Sequence, residues 1–205
     1  MRSVFVFWCA LLLSAGAFAT SISLDNADIE TNPGDEFSAI GDWGPNGSWA
    51  FHVNFAKPNN GTLGDRFGYY SAGGTETVGQ LTAEIIQPFT IYDFWSWATG
   101  GSSDSGEIVY QIGYDDGGTF VPLATHGVTL GGSWFETEGV LYTTGGAGPE
   151  LGQTLWVRLG DGSDDPPGGS DVWFDSFQAT ATPVPEPGLL ILVGGAALLG
   201  LRRRK

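Results

Sequence analysis

Large apolar residues alternate with small or polar ones through the middle of the chain. Trp49–Phe55 shows this pattern, and Ile108–Tyr114 and Leu155–Leu159 repeat it. A period of two residues is typical of a strand with one buried face. Five further segments have the composition of strands: Leu81–Ile86, Phe89–Trp97, Phe120–Leu123, Phe135–Tyr142 and Val172–Ala179.

Turn-forming pairs such as Asn60-Gly61 and Gly131-Gly132 separate these segments, and helix signals are scarce between residues 20 and 182. Eight or nine short strands with frequent turns predict an all-β fold, an antiparallel β-sandwich of the jelly-roll kind. We expect the tryptophans inside regular strands to pack in its core. These are Trp95 and Trp97, which share a strand face with Phe89 and Ile91, together with Trp156 and Trp173.

The N-terminus has the pattern of a signal peptide over residues 1–19. Arg2 precedes an apolar stretch, Val4–Leu13, and the small residues Ala17 and Ala19 predict cleavage after Ala19. A membrane anchor is the alternative, but the stretch is shorter than the ~20 residues that a spanning helix needs. Cys9 is the only cysteine, so the mature domain, residues 20–182, would use neither disulfides nor thiol chemistry.

The C-terminus has three successive parts. Residues 180–185, Thr-Ala-Thr-Pro-Val-Pro, predict a short stiff linker. Residues 188–201 are apolar and uncharged, and a basic cluster follows them at the end of the chain, consisting of Arg202, Arg203, Arg204 and Lys205. Cations that abut an apolar run act as a cytoplasmic stop, so we expect a short transmembrane helix rather than a buried core helix.

Charge is distributed very unevenly along the chain. Residues 25–186 hold all 23 acidic residues and only three basic ones, Lys57, Arg66 and Arg158, which gives this stretch a net charge of −20. Such a field repels phosphate backbones, so nucleic acid is excluded as a partner. It favours solubility outside the cell and is compatible with divalent cations.

The tail resembles a known sorting signal. Pro185, Glu186 and Pro187, followed by an apolar run and a terminal arginine cluster, resemble the PEP-CTERM signal of Gram-negative bacteria over residues 183–205. The resemblance implies export, a transient stay in the inner membrane and processing by an exosortase. The product would then be a cell-surface or extracellular-matrix protein.

The central domain resembles galactose-binding-like jelly rolls and carbohydrate-binding modules. Asp25–Glu30 is similar to their opening strand and Asp171–Phe177 to their closing strand. Such modules often hold a structural calcium where these strands meet, so the resemblance implies Glu30 and Asp175 as calcium ligands. Solvated carboxylates or turn caps are the alternative.

Sugar binding needs exposed aromatic faces flanked by polar groups. Trp43 and Trp134 lie in or beside glycine-rich loops, and Tyr69 and Tyr70 have similar surroundings, so these four are the candidate ligand-binding residues. Packing is the alternative for each of them.

Catalytic patterns are not recognisable. His52 and His126 stand alone, without metal-ligand spacing, and no serine has a nucleophile elbow around it. The sequence therefore predicts an exported, non-enzymatic protein that interacts with extracellular polysaccharide or matrix. The alternatives are a structural matrix component without a defined ligand and a polysaccharide hydrolase, although no carboxylate pair stands out for the latter.

Overall fold

Two antiparallel β-sheets make up the fold in a computed structural model of the chain. The structure describes residues 18–25, 49–53, 66–70, 77–100, 105–161 and 172–185. All regular elements in these residues are strands: β1 (Thr20–Ser21), β2 (Trp49–Val53), β3 (Arg66–Tyr70), β4 (Val78–Ile85), β5 (Thr90–Thr99), β6 (Ser105–Asp116), β7 (Thr119–Gly131), β8 (Phe135–Glu136), β9 (Val140–Thr143), β10 (Thr154–Asp161) and β11 (Val172–Pro183).

The seven-stranded sheet has the order β2-β3-β11-β5-β8. Strand β1 adds to β11, and β9 pairs with β5 next to β8. The last strand, β11, therefore lies in the middle of the sheet and contacts β3 on one side and β5 on the other.

The four-stranded sheet has the order β4-β10-β6-β7. Strands β6 and β7 form a long hairpin whose turn consists of Gly117 and Gly118, with φ of 61° and 90°. Glycine adopts positive φ without the steric cost that a Cβ brings, so these two residues allow the tight turn. Asp115 supports it, because its Oδ1 accepts a hydrogen bond from the Gly118 amide at 2.8 Å.

The core lies between the sheets and is rich in aromatic residues. Phe94 packs edge-on against Tyr110, with 5.7 Å between ring centroids, and stacks on Phe177 at 5.9 Å. Aromatic pairs at such separations add stabilisation beyond the burial of their surface. The aliphatic part of the core comes mainly from alternate positions of β6 and β10, namely Ile108, Ile112, Leu155, Val157 and Leu159.

A hydroxyl network also lies in the core. The Tyr110 hydroxyl is 2.7 Å from the Ser96 hydroxyl and 2.8 Å from that of Thr137, which also donates to the Ser96 carbonyl. Burial raises the pKa of Tyr110 to about 12, because the phenolate would lose its hydration there. The network therefore satisfies polar groups inside an otherwise apolar core.

These observations confirm the prediction of an all-β, antiparallel sandwich. The eight predicted strand segments all overlap strands, although Phe135–Tyr142 is divided into β8 and β9. Two strands were not predicted, β1 and β3. The linker prediction is wrong for residues 180–183, because they are the last part of β11 and pair with β5.

The two ends of the described chain lie outside the core. Phe18 and Ala19 are exposed, and β1 begins at the next residue. At the other end, the Val184 amide donates to the Phe89 carbonyl at 2.6 Å. The predicted leader and transmembrane segment fall almost entirely outside the described residues, and within the described part no helix is long and apolar enough to cross a membrane.

Candidate functional site

Strand β5 places its tryptophans on the outer face of the seven-stranded sheet. Its buried residues alternate along the strand and face the core: Tyr92, Phe94, Ser96 and Ala98. The positions between them point the other way, so Trp95 and Trp97 are half-buried on the outer face. The prediction that these two tryptophans pack in the core is therefore wrong.

Strand β11 adds a third tryptophan to the same face. Trp173 lies between the buried residues Val172 and Phe174 and is itself half-buried. Its backbone register partner on β5 is Thr99, two residues beyond Trp97. We call Trp95, Trp97 and Trp173 the tryptophan strip. Core packing is thus also wrong for Trp173.

Polar side chains border the strip on both sides. Trp97 is opposite Asp175 on β11 and opposite Glu136 on β8, while Trp95 is opposite Gln178. Directly opposed residues share a face of the sheet, and their Cβ atoms are about 5 Å apart. Carboxylate and amide groups therefore lie beside the indole rings.

Two N–H groups fix the Glu136 carboxylate. Trp95 Nε1 donates to Glu136 Oε1 at 2.8 Å, and Gln178 Nε2 donates to the same oxygen at 3.3 Å. Both bonds are solvent-exposed, and no other hydrogen bond to Glu136 occurs among the described residues. The second oxygen, Oε2, is therefore available as an acceptor at the surface of the strip.

A β-bulge in β11 determines which residues lie beside the strip. The register with β5 shifts between Asp175 and Gln178, and Ser176 has a φ of 53°. The Ser176 amide donates to Asp175 Oδ1 at 2.6 Å. Because the bulge inserts a residue, Phe177 returns to the core while Gln178 stays on the outer face with Asp175.

Negative charge is concentrated on this face. Asp93 precedes Trp95 by two residues and is half-buried, and desolvation raises the pKa of its carboxyl above 3.8 although a backbone hydrogen bond at Phe94 opposes the shift. Asp175 is fully buried, whereas Glu136 is exposed. Among side chains that the structure describes, no lysine or arginine lies on this face.

The predicted ligand-binding residues have different positions. Trp134 is half-buried in the connection between β7 and β8. Tyr69 and Tyr70 are the last two residues of β3, so they belong to a strand rather than a loop, and Tyr69 is the register partner of Trp173. Trp43 lies outside the described residues. The sequence did not predict the tryptophan strip, and its one polar signal was Asp93, which alternation places on the same face as Trp95 and Trp97.

The predicted calcium site has only one described residue, Asp175, because Glu30 lies outside the described ranges. Within those ranges no three acidic or histidine side chains cluster in a way that could hold a metal ion. The Asp175 oxygen that contacts the Ser176 amide is already engaged. The calcium site therefore stays a prediction, since one of its two ligands lies outside the described residues.

The sorting residues fall mostly outside the described ranges as well. Ala19 and Pro185 are described and exposed. Ala17, Glu186, Pro187 and the basic cluster at residues 202–205 are not among the described residues.

The outer face of the four-stranded sheet has a different character. Trp156 and Arg158 of β10 lie there half-buried, between the core residues Leu155, Val157 and Leu159. Phe120 joins them, with its ring 5.7 Å from that of Trp156 and 4.3 Å from the Arg158 guanidinium carbon. Core packing was also expected for Trp156, and it is wrong. Arg158 gives this face a cation beside its aromatic rings.

The comparisons with known proteins concern the fold. No protein-family model matches the chain, and no curated protein has a similar sequence. Among solved structures, a cyclase from Fischerella sp. TAU is 21% identical with a TM-score of 0.64, and the match covers 82% of this chain and 100% of that one.

Two further solved structures are of proteins that act on or bind sugars. The xylan-binding domain CBM22-1 of Paenibacillus barcinonensis Xyn10C is 13% identical with a TM-score of 0.52, covering 83% of this chain and 98% of that one. An α-L-arabinofuranosidase, crystallised with arabinose, is 16% identical with a TM-score of 0.54, over 82% of this chain and 27% of that one. At these identities the similarity shows the β-sandwich fold alone.

Proposed function

We propose that the protein is an exported, non-enzymatic component of the cell surface or extracellular matrix that binds polysaccharide through the tryptophan strip. The observation that carries this proposal is the row of three half-buried indoles bordered by Glu136 and Gln178. Apolar ring faces combined with a few fixed polar groups are the usual composition of a site for a small organic ligand, and sugar rings present both kinds of surface.

Binding is favoured over hydrolysis, the second candidate. Asp175 and Glu136 are on the strands either side of Trp97, so their Cα atoms are about 10 Å apart. An inverting glycosidase needs two carboxyl groups roughly 6.5–9.5 Å apart, which this backbone spacing allows, but both groups must also reach the sugar. Asp175 is fully buried, so only Glu136 of the two reaches the surface, and the pair is poorly placed to act together on a sugar.

The first experiment measures retention of the purified full-length protein on insoluble polysaccharides. Xylan is the first polymer to try, since one protein of similar fold is a xylan-binding domain. We expect Trp97→Ala to weaken retention at least tenfold, because it removes the central indole. Trp156→Ala is the matched control, because it removes the same half-buried side chain from the other sheet.

Two outcomes would contradict the proposal. Retention on no polysaccharide, or equal losses for the two variants at matched thermal stability, would show that the strip is not a glycan site. Release of reducing ends that stops in Asp175→Asn or Glu136→Gln would instead establish the hydrolase.

A further inference from the structure

The length of the tryptophan strip matches a chain of sugars rather than a single ring. Trp95, Trp97 and the position of Trp173 follow one another at two-residue steps along β5. Each step advances by about 6.6 Å, so the strip extends over about 13 Å along the strand. A linear glycan lying parallel to β5 could place successive rings over the three indoles.

The polar groups beside the strip are mainly acceptors. Trp95 Nε1–H and one of the two N–H groups of Gln178 Nε2 donate to Glu136 Oε1, which leaves one amide N–H among these donors. The free acceptor Oε2 lies on the sheet row of Trp97, the central indole. A sugar hydroxyl can donate a hydrogen bond to this oxygen, whereas the carboxylate of a uronic acid cannot.

The charge of this face also favours an uncharged ligand. Among the described side chains, Glu136 is an exposed carboxylate on this face and Asp93 a half-buried one, whereas Arg158 lies on the other sheet. Like charges on a ligand and in a site disfavour binding, and among the described side chains no cation lies on this face to offset them.

On this basis, and resting on the function proposed above, we infer that the ligand is an uncharged glycan that lies along β5 and donates a hydrogen bond from one of its hydroxyls to Glu136 Oε2. The exposed Glu136 carboxylate disfavours polyuronates, because they bring further negative charge to it. The central sugar ring stacks on Trp97. Trp95 and Gln178 hold the Glu136 carboxylate in place, and this carboxylate fixes the rotation of the sugar ring.

A glycan panel tests the ligand class with the full-length protein. The neutral probes are xylan, β-glucan and galactan, and the acidic probes are polygalacturonate and alginate. We expect at least one neutral polymer to bind at both low and high salt, because neutral contacts are not screened, and neither polyuronate to bind. Binding of a polyuronate with no neutral polymer would overturn the inference and leave the binding function standing, whereas binding to nothing would overturn both.

A chain-length series tests the orientation. Oligosaccharides of the polymer that binds are titrated by calorimetry, from one ring upwards. We expect the dissociation constant to fall steeply up to three rings and to change little beyond four. A single sugar that binds as tightly as the trisaccharide would refute the arrangement along β5.

Substitution of Glu136→Gln tests the acceptor, and Glu138→Gln is its matched control. Both are exposed glutamates in neighbouring positions, and both changes remove one negative charge. A charge-assisted hydrogen bond is about twice as strong as a neutral one, so we expect roughly tenfold weaker binding of the neutral oligosaccharide to the Glu136 variant. The Glu138 variant should remain within about twofold of the parent.

Thermal unfolding of both variants shows whether the Glu136 change acts through stability. Equal affinities of two stably folded variants would remove Glu136 from the site. If the Glu136 variant fails to fold, Gln178→Ala replaces it, because this change removes one of the two donors that hold the carboxylate. An unchanged affinity in Gln178→Ala would then count against the proposed acceptor.

Discussion

The ionised Asp93 carboxylate lowers the stability of the folded state because of its position. Desolvation raises its pKa above 3.8 because the charged form loses hydration in its half-buried site on β5. Between pH 3.8 and that raised value, the folded protein keeps a proton that the unfolded chain has released. The free energy of unfolding therefore falls as pH rises through this interval.

We therefore expect Asp93→Asn to raise the melting temperature at pH 7, since the amide cannot ionise. The difference from the parent should shrink as pH falls and should vanish below 3.8, where both side chains are neutral. Thermal unfolding from pH 3 to pH 7 measures it. Asp116→Asn is the control, because Asp116 is exposed at the end of β6 and should show a smaller change. A lower melting temperature of Asp93→Asn at pH 7 would show that the ionised carboxylate stabilises the fold.

The residues of β5 show how far a sequence can assign faces. Both faces of the strand have large aromatics, Tyr92 and Phe94 on one and Trp95 and Trp97 on the other. Hydrophobicity therefore predicted the strand correctly but did not reveal which face is buried. Ser96 lies on the core face, where the Tyr110 hydroxyl pairs with its hydroxyl and the Thr137 hydroxyl donates to its backbone carbonyl, and both partners are distant in sequence.

At the scale of elements, the bulge in β11 determines which residues reach the tryptophan strip. Trp173, Asp175 and Gln178 lie on the outer face, and Phe177 faces the core. Without the extra residue, strict alternation would place Phe177 on the outer face and Gln178 in the core. Ser176 takes the unfavourable positive φ that the bulge requires. The backbone geometry at Ser176 is thus coupled both to core packing and to the outer face.

Substitutions of Ser176 test this coupling. We expect Ser176→Val to lower the free energy of unfolding by about 1–3 kcal/mol, because a β-branched residue strongly resists positive φ. Ser176→Gly should be neutral or slightly stabilising, since glycine accepts this conformation. Urea unfolding of both variants provides the comparison. If valine were as well tolerated as glycine, the bulge would not depend on the φ of residue 176.

Element prediction succeeded where alternation was long and failed where it was short or interrupted. Strand β3 has glycine in its centre, Arg-Phe-Gly-Tyr-Tyr, and β1 has only two residues. Residues 180–183 resembled a linker because of Pro183. A proline at the end of a strand breaks little of the ladder, and β11 accommodates it as its last residue.

At the scale of the whole molecule, the two outer faces of the sandwich differ in chemistry. The seven-stranded sheet presents indoles with carboxylates, and the four-stranded sheet presents Trp156 and Phe120 with Arg158. The sequence predicted the sandwich and the net charge of residues 25–186, but not this division. It depends on which strands become neighbours, and pairings such as β5 with β8 and β11 are non-local.

The route of the protein to the outside is the part of the proposal that depends on the tail. Pro185, Glu186 and Pro187 precede an apolar run and the terminal cations, and this order resembles a PEP-CTERM signal. If an exosortase recognises the motif, the tail is removed and the domain leaves the membrane. A glycan-binding domain of strongly negative charge would then be free to reach extracellular polysaccharide.

We expect Glu186→Ala to leave the protein uncut in the inner membrane, because the acidic residue of the recognition motif is lost. Immunoblots of membrane and secreted fractions, with an antibody to the central domain, measure both the size and the location of the protein. Glu150→Ala is unsuitable as a control because Glu150 is buried and accepts a hydrogen bond from Tyr142. Glu138→Ala removes an exposed glutamate instead and should leave processing unchanged. Normal release of the Glu186 variant would refute the sorting function of the tail while leaving the glycan-binding proposal open to its own tests.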